Sequence, residues 1–313
     1  MRHIHPDFTV NEAPMETVGF IGLGVMGRPM AKHILAKGFR VVVSNRSHAA
    51  VEELVAAGAE SADSPSAVAA QASVVITMVP DTPDVEAVIA GSDGVLETLR
   101  PGSVVIDMSS ISPVATRALA SQVAARGSLM LDAPVSGGEI GAINATLSIM
   151  IGGDASAVAR VRPILECMGN PERIVHVGTE PGSGQVCKVC NQIAIGGALA
   201  GVSEAFTIAR KAGVDPARVR EALLGGFAAS RVLDVHGERM LKGNYVPGFR
   251  ARLYQKDLRL ATEVAASTGS AVPATALVAQ LLNVLVASGG ADLDYSALGT
   301  VFFELAGLDT PRA

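Results

Sequence analysis

The sequence predicts an α/β fold: a doubly wound, mostly parallel sheet followed by an all-α C-terminal half. Three observations carry that expectation. From Thr17 to about Gly178, short β-rich apolar runs alternate with helical patterns. The first run passes into a glycine-rich turn and then a helix. Past Gly182 the strand signal fades and only helical periodicity remains.

The strand candidates are Val18–Ile21, Arg40–Ser44, Val74–Met78, Val104–Asp107, Leu129–Leu131, Leu147–Ile151 and Ile174–Val177. Their apolar residues run on without alternation, as in strands covered on both faces. Helical patterns lie between them at Met26–Ala36, His48–Ala56, Val85–Ala90, Pro113–Ala125 and Ala155–Met168. In the second half the helices are Gln185–Ala212, Pro216–Leu224, Arg231–Leu241, Leu253–Ser267, Pro273–Ala287 and Ser296–Ala306. Gly213, Gly243, Gly269 and Gly289 stand near their ends, and Asp215-Pro216 and Val272-Pro273 near their starts. The first of these helices is almost wholly apolar beyond Gln192 and contains Gly196, Gly197 and Gly201, which permit close helix approach. Such a helix must be buried on most sides, in part by another subunit. Met1–Pro14 reads as a loose tail.

Composition removes several function classes. The 313 residues suffice for about two domains. With 49% hydrophobic and 18% charged residues and a mean hydropathy of +0.38, the chain folds. A net charge of −5 without a long basic run argues against nucleic acid as a partner. The longest apolar stretch, Ile193–Val202, is short of the roughly 18 to 20 residues that cross a bilayer, so no membrane partner is expected. Three cysteines and no apolar leader in Met1–Pro14 point to reduced thiols and a cytoplasmic setting. Cys187 and Cys190 form Cys-x-x-Cys, but there is no second pair, Cys167 is distant, and His176 and His236 lack ligand spacing. No metal is expected, and the two cysteines read as packing residues. Neither Gly-x-Ser-x-Gly nor His-Glu-x-x-His occurs.

The glycine-rich turn is Gly22-Leu23-Gly24-Val25-Met26-Gly27, flanked by a strand and a helix. Gly22 allows the tight turn, Gly24 lets a pyrophosphate approach the backbone, and Gly27 lets the helix pack on the strand. A Rossmann-type dinucleotide-binding domain is therefore expected at 16–180, with an all-helical substrate and oligomerisation domain at 181–313. The second strand ends in Asn45-Arg46-Ser47, where a cofactor-selecting acid is absent. Arg46 and Ser47 suit a ribose 2′-phosphate, which favours NADP(H), with NAD(H) possible. Val79, Pro80 and Ser110 follow strands, where a doubly wound sheet places its ligands, and are expected to border the nicotinamide.

Beyond that turn, the motifs Met78-Val79-Pro80, Ile106-Asp107-Met108-Ser109-Ser110, Asp132-Ala133-Pro134-Val135-Ser136-Gly137-Gly138, Gly182-Ser183-Gly184-Gln185-Val186-Cys187-Lys188-Val189-Cys190-Asn191 and Lys256-Asp257-Leu258 follow in order. Together they resemble the β-hydroxyacid dehydrogenase family, from about Val18 to Gly307. The segments Ser136-Gly137-Gly138-Glu139, Thr146-Leu147-Ser148-Ile149-Met150 and Pro247-Gly248-Phe249-Arg250 are similar to members that reduce tartronate semialdehyde. The resemblance implies Lys188 as catalytic acid/base, Ser136-Gly137-Gly138 as the seat of the substrate's acid end, Phe249 and Asp257 on the substrate pocket, and Lys256 at the cofactor. It also implies a homodimer or homotetramer.

The chemistry of the residues agrees. Hydride addition to an aldehyde develops an alkoxide that needs a nearby proton donor. Lys188 stands near the start of the apolar helix, where burial and a helix N-terminus lower an amine's pKa. Asn191 and Gln192 at i+3 and i+4 share its face and can orient a substrate. Backbone amides of Ser136-Gly137-Gly138 and the Ser136 hydroxyl can form a carboxylate nest. Two positions depart from the family pattern: Ala145 stands for a usual glycine, and Gln192 for a second asparagine of some relatives. The expected activity is NAD(P)H-dependent reduction of a small semialdehyde acid, tartronate semialdehyde to glycerate foremost. The alternatives are 3-hydroxyisobutyrate oxidation, reduction of succinic semialdehyde or glyoxylate, and, from another class, a noncatalytic dinucleotide-binding regulator.

Overall fold

A computed structural model describes residues 16–310. The tail expected at Met1–Pro14 lies outside the described residues. The first half contains β1 (Thr17–Ile21), α1 (Gly27–Ala36), β2 (Arg40–Ser44), α2 (His48–Ala56), β3 (Glu60–Ser61), α3 (Pro65–Ala69), β4 (Val74–Thr77), α4 (Thr82–Ala90), α5 (Val95–Thr98), β5 (Val104–Asp107), α6 (Pro113–Ala125), β6 (Leu129–Asp132), β7 (Val135–Ser136), α7 (Gly138–Ile143), β8 (Leu147–Gly152), α8 (Ala155–Leu165) and β9 (Gly169–Gly178). These strands form one sheet in the order β3-β2-β1-β4-β5-β6-β8-β7, with β9 paired to β8. The strands β1 to β6 are mutually parallel, whereas β8 runs antiparallel to β6 and β7.

The continuous apolar runs have a direct cause. Successive side chains of a strand point to opposite faces, and here both faces are covered. Val41, Val43, Val74, Ile76, Val104 and Ile106 enter one core, while Val42, Val75 and Val105 enter another on the opposite side. Each such buried valine or isoleucine contributes about 1.5–3 kcal/mol over leaving it exposed. The elements the sequence reading passed over, β3, β7, α3, α5 and α7, have six residues or fewer and display too little of any period.

The second half comprises α9 (Ser183–Lys211), α10 (Pro216–Leu224), α11 (Arg231–Lys242), α12 (Ala251–Thr268), α13 (Pro273–Ala287), 3-10 turns at Gly290–Asp292 and Tyr295–Ala297, and α14 (Leu298–Leu305). The expected Ser296–Ala306 helix is thus a 3-10 turn followed by a shorter α-helix. By length and composition α9 could cross a membrane. Here it is the axis on which α11 to α14 pack, through Leu199, Phe206, Tyr254, Leu258, Leu282 and Val301. Close approach occurs at two of its four glycines: a Cβ on Gly184 would meet the Met150 carbonyl oxygen at 2.3 Å and one on Gly196 would stand 2.8 Å from the Tyr254 hydroxyl, whereas Gly197 and Gly201 face open space.

Candidate active site

The strand order reverses between β1 and β4, and ligands of open α/β sheets sit at such a switch point, beyond the strand C-termini. A cleft of about 860 Å³ opens there, walled by the loops after β1, β2, β4 and β5 and by the start of α12. Gly22 takes φ of +98°, and a Cβ on it would meet the Met78 carbonyl oxygen at 2.3 Å. Gly24 carries nothing within 4 Å of where its Cβ would be, which leaves its backbone open to a ligand. Val25, Met26 and Gly27 continue the wall into α1. An open glycine backbone at a helix N-terminus suits a pyrophosphate, so the residues present fit a dinucleotide.

Leu23 braces this turn from behind. Its side chain is buried, and its amide donates to Asn45 Oδ1 at 2.9 Å. Asn45 Nδ2 in turn donates to the Ser47 carbonyl at 3.1 Å. Asn45 and Arg46 lie on the cleft wall; Leu23 and Ser47 do not. The Arg46 side chain is 86% exposed and stands 3.7 Å from the Asp84 carboxylate. Asp63 shares this end of the cleft. The sequence reading missed it because it follows the two-residue β3 rather than β2.

The lysine is placed by the β6–α9 junction. Asp132, buried at the end of β6, accepts from the Gly182 and Gln185 amides, each at 2.7 Å, and so fastens the first turn of α9 to the sheet. Gln185 donates through Nε2 to Ser109 O at 2.8 Å and accepts from the Ile111 amide at 3.1 Å. One turn further on, the ammonium of half-buried Lys188 donates to the Val135 carbonyl at 2.8 Å. That carbonyl immediately precedes Ser136-Gly137-Gly138, where Gly137 and Gly138 have φ of 138° and 61°. Burial pushes the Lys188 amine below its usual pKa; the Asp257 carboxylate opposes that shift and the Lys256 ammonium adds to it.

A second polar chain crosses the cleft. Asn191 Nδ2 donates to Gln192 Oε1 at 2.7 Å, and Gln192 Nε2 donates to Asp257 Oδ2 at 2.6 Å. Buried Asp257 pairs with Lys256 at 3.1 Å, and Lys256 donates to Pro80 O at 3.0 Å and to Ser110 O. Lys256 therefore links α12 to the loops after β4 and β5. Gln192 is buried with both amide ends engaged, so it holds Asn191 and Asp257 in place. Val79, Pro80, Ser110, Phe249, Lys256 and Asp257 stand on the cleft wall. Ser136, Gly137, Gly138, Lys188, Asn191 and Gln192 stand off it, joined to it through Glu139 and Asp257.

Two buried acids, Asp107 and Asp132, went unassigned although each closes an apolar strand, which is a visible signal. Asp107 accepts from Thr77 Oγ1 at 2.8 Å and the Ser109 amide at 3.1 Å, and Ser109 Oγ accepts from the Val79 amide at 3.0 Å. Burial raises the Asp107 pKa to about 6. Cys187 is half-buried and Cys190 exposed, and among the described residues no group of three His, Cys, Asp or Glu is placed to hold a metal.

Comparison with known proteins adds to this geometry. Residues 17–178 match the family described as the NAD binding domain of 6-phosphogluconate dehydrogenase, and residues 182–302 the one described as NAD-binding of NADP-dependent 3-hydroxyisobutyrate dehydrogenase. The chain is 48% identical to 2-hydroxy-3-oxopropionate reductase of Escherichia coli, over 90% of its own length and 95% of the relative's. It is 37% identical to NAD-dependent L-serine dehydrogenase of Pseudomonas aeruginosa, over 92% and 98%. The solved structure of Mycobacterium tuberculosis 3-hydroxyisobutyrate dehydrogenase with L-serine superposes with a TM-score of 0.82 at 34% identity, over 91% and 98% of the two chains.

Proposed function

Because the chain belongs to the 3-hydroxyisobutyrate dehydrogenase-like family, oxidoreductases of CH–OH groups that use a nicotinamide dinucleotide, we propose that it is an NAD(P)H-dependent reductase of a small semialdehyde acid, converting tartronate semialdehyde to glycerate. The observation that carries this reading is the Lys188 ammonium donating at 2.8 Å to the carbonyl that leads into Ser136-Gly137-Gly138. The 48% identity to a 2-hydroxy-3-oxopropionate reductase supports the choice of substrate.

Gly22, Gly24, Val25, Met26 and Gly27, with Arg46, Val79, Pro80, Ser110 and Lys256, would hold the dinucleotide, which when bound would supply a hydride. The chain's own residues do the rest. The amides of Ser136-Gly137-Gly138 bind the substrate carboxylate. Asn191 and Phe249 orient its carbon chain. Lys188 gives its proton to the oxygen as it gains charge, and a lowered pKa makes that transfer easier. Gln192 keeps Asp257 and Asn191 aligned, and Lys256 draws the two halves together, which excludes water. Arg46 favours NADP(H), with NAD(H) as the weaker cofactor. The protein works in the cytoplasm as a homodimer or homotetramer built through its helical half.

A substrate panel tests this. Tartronate semialdehyde, succinic semialdehyde and glyoxylate are reduced with NADPH or NADH, and 3-hydroxyisobutyrate and L-serine are oxidised in reverse. The expected result is the highest kcat/KM for tartronate semialdehyde with NADPH. A higher value for 3-hydroxyisobutyrate moves the assignment to the second reading, which the Mycobacterium tuberculosis structure favours. Tight cofactor binding without turnover of any acid makes the protein a noncatalytic binder.

A further inference from the structure

We propose that Asp294, far in sequence from the other residues of the site, is a positioning residue for the acid end of the cleft. Its carboxylate is 1% exposed, between the two 3-10 turns that precede α14. Oδ2 accepts from the amides of Gly248 and Phe249 at 3.0 and 3.2 Å. Oδ1 accepts from the Ser296 amide at 3.1 Å and the Ser296 hydroxyl at 2.6 Å. The Arg239 guanidinium stands 3.5 Å from Oδ2 and donates to the Val246 carbonyl at 2.7 Å. A buried carboxylate persists only when its lone pairs are filled, and here two are filled by consecutive amides of the segment that walls the cleft.

The backbone repeats the same tie. The Asp294 amide donates to Tyr245 O at 2.9 Å, the Tyr295 amide to Phe249 O at 3.0 Å, and the Ala251 amide to Leu293 O at 2.8 Å. The Phe249 ring lies edge-on to Tyr295, with centroids 5.8 Å apart. Across the cleft, a Cβ on Gly138 would be 3.9 Å from the Gly248 carbonyl oxygen. The segment that Asp294 grips therefore faces the glycine pair proposed to seat the substrate carboxylate. Asp294 touches neither ligand; it fixes how far the Phe249 segment stands from that pair, and so governs binding of the acid while leaving the cofactor end alone.

This rests on the proposed function for its substrate, so the test carries one readout that does not. Asp294→Asn keeps one acceptor oxygen and can satisfy the 248–249 amides or Ser296, not both. In the folded full-length variant, amide hydrogen exchange at Gly248 and Phe249 should accelerate at least about tenfold. KM for the best acid of the panel should rise about tenfold or more, with the NADPH dissociation constant within about twofold of wild type. If Asp294→Asn does not fold, Arg239→Gln, which releases the Val246 carbonyl of the same segment, should give the same split. Unprotected 248 and 249 amides in the wild type, or an unchanged KM in either folded variant, overturn the proposal. So does a KM that rises in step with the cofactor constant. If the wild type turns over no acid on the panel, the functional reading fails and the exchange rates alone decide the role of Asp294.

Discussion

The Lys188 amine has lost hydration without a carboxylate in contact to replace it among the described residues, where its one hydrogen-bond acceptor is a neutral carbonyl. Reduction should therefore fall as pH rises through that lowered pKa, where the ammonium is lost, and oxidation should rise over the same range. A reduction rate that does not fall with rising pH while the oxidation rate stays flat would argue against Lys188 as the acid. Asp107 has the opposite character, a carboxyl whose pKa of about 6 in the fold exceeds the 3.8 of a free group. The folded state holds this proton more tightly than the unfolded chain, so the group favours folding at low pH and loses that contribution as pH climbs through about 6. Between pH 4.5 and 8, the stability of Asp107→Asn should improve relative to wild type by about 2 kcal/mol, measured by urea denaturation. A gap that does not change with pH would contradict this. Phe249 and Asp257, which the family motifs pointed to, stand on the cleft wall, and Lys188, carried by another motif, stands off it. Asp294 lies in no such motif; it acts by gripping main-chain amides, which leaves no spacing signature.

At the scale of elements, the long helix α9 does two things: its second turn presents Lys188, and its remainder forms the axis of the helical half. The first turn is locked by close backbone contact, since a Cβ on Gly184 would meet Met150 O at 2.3 Å and Asp132 O at 2.8 Å. Neither backbone oxygen can yield as a flexible side chain would. Gly184→Ala should therefore cost more than about 2 kcal/mol and lower activity with it. Gly201 is the control, with nothing within 4 Å of where its Cβ would be. Gly201→Ala should stabilise the chain by up to about 1 kcal/mol. Thermal unfolding of both variants checks the pair. Destabilisation by Gly201→Ala would mean that a second copy packs on that face. Long periodic elements were legible nearly to their ends: Arg40–Ser44, His48–Ala56, Pro113–Ala125, Pro216–Leu224 and Pro273–Ala287 match residue for residue. The antiparallel turn-back of β7 and β8 was not, because hydrophobic runs carry no direction and β7 has only two residues.

At the scale of the molecule, polar contacts tie the helical half to the sheet at the cleft. Gln185 reaches Ser109 and Ile111, Lys256 reaches Pro80 and Ser110, and Arg259 pairs with Asp81 at 3.1 Å. The doubly wound class and the helical second half could be read from pattern alone, but the ties between the two halves could not, since each ends on a backbone carbonyl, a backbone amide or a lone acid. The ties hold Lys256 and Asp257 on the cleft wall, while Lys188 and the glycine pair of the Ser136 segment stand off it. The most direct test is single-turnover NADPH oxidation by Lys188→Ala under saturating tartronate semialdehyde, alongside NADPH titration of the same variant. The proposed role of Lys188 predicts a rate lowered about 10²- to 10⁴-fold with cofactor affinity held within about threefold. A rate within tenfold of wild type would contradict it.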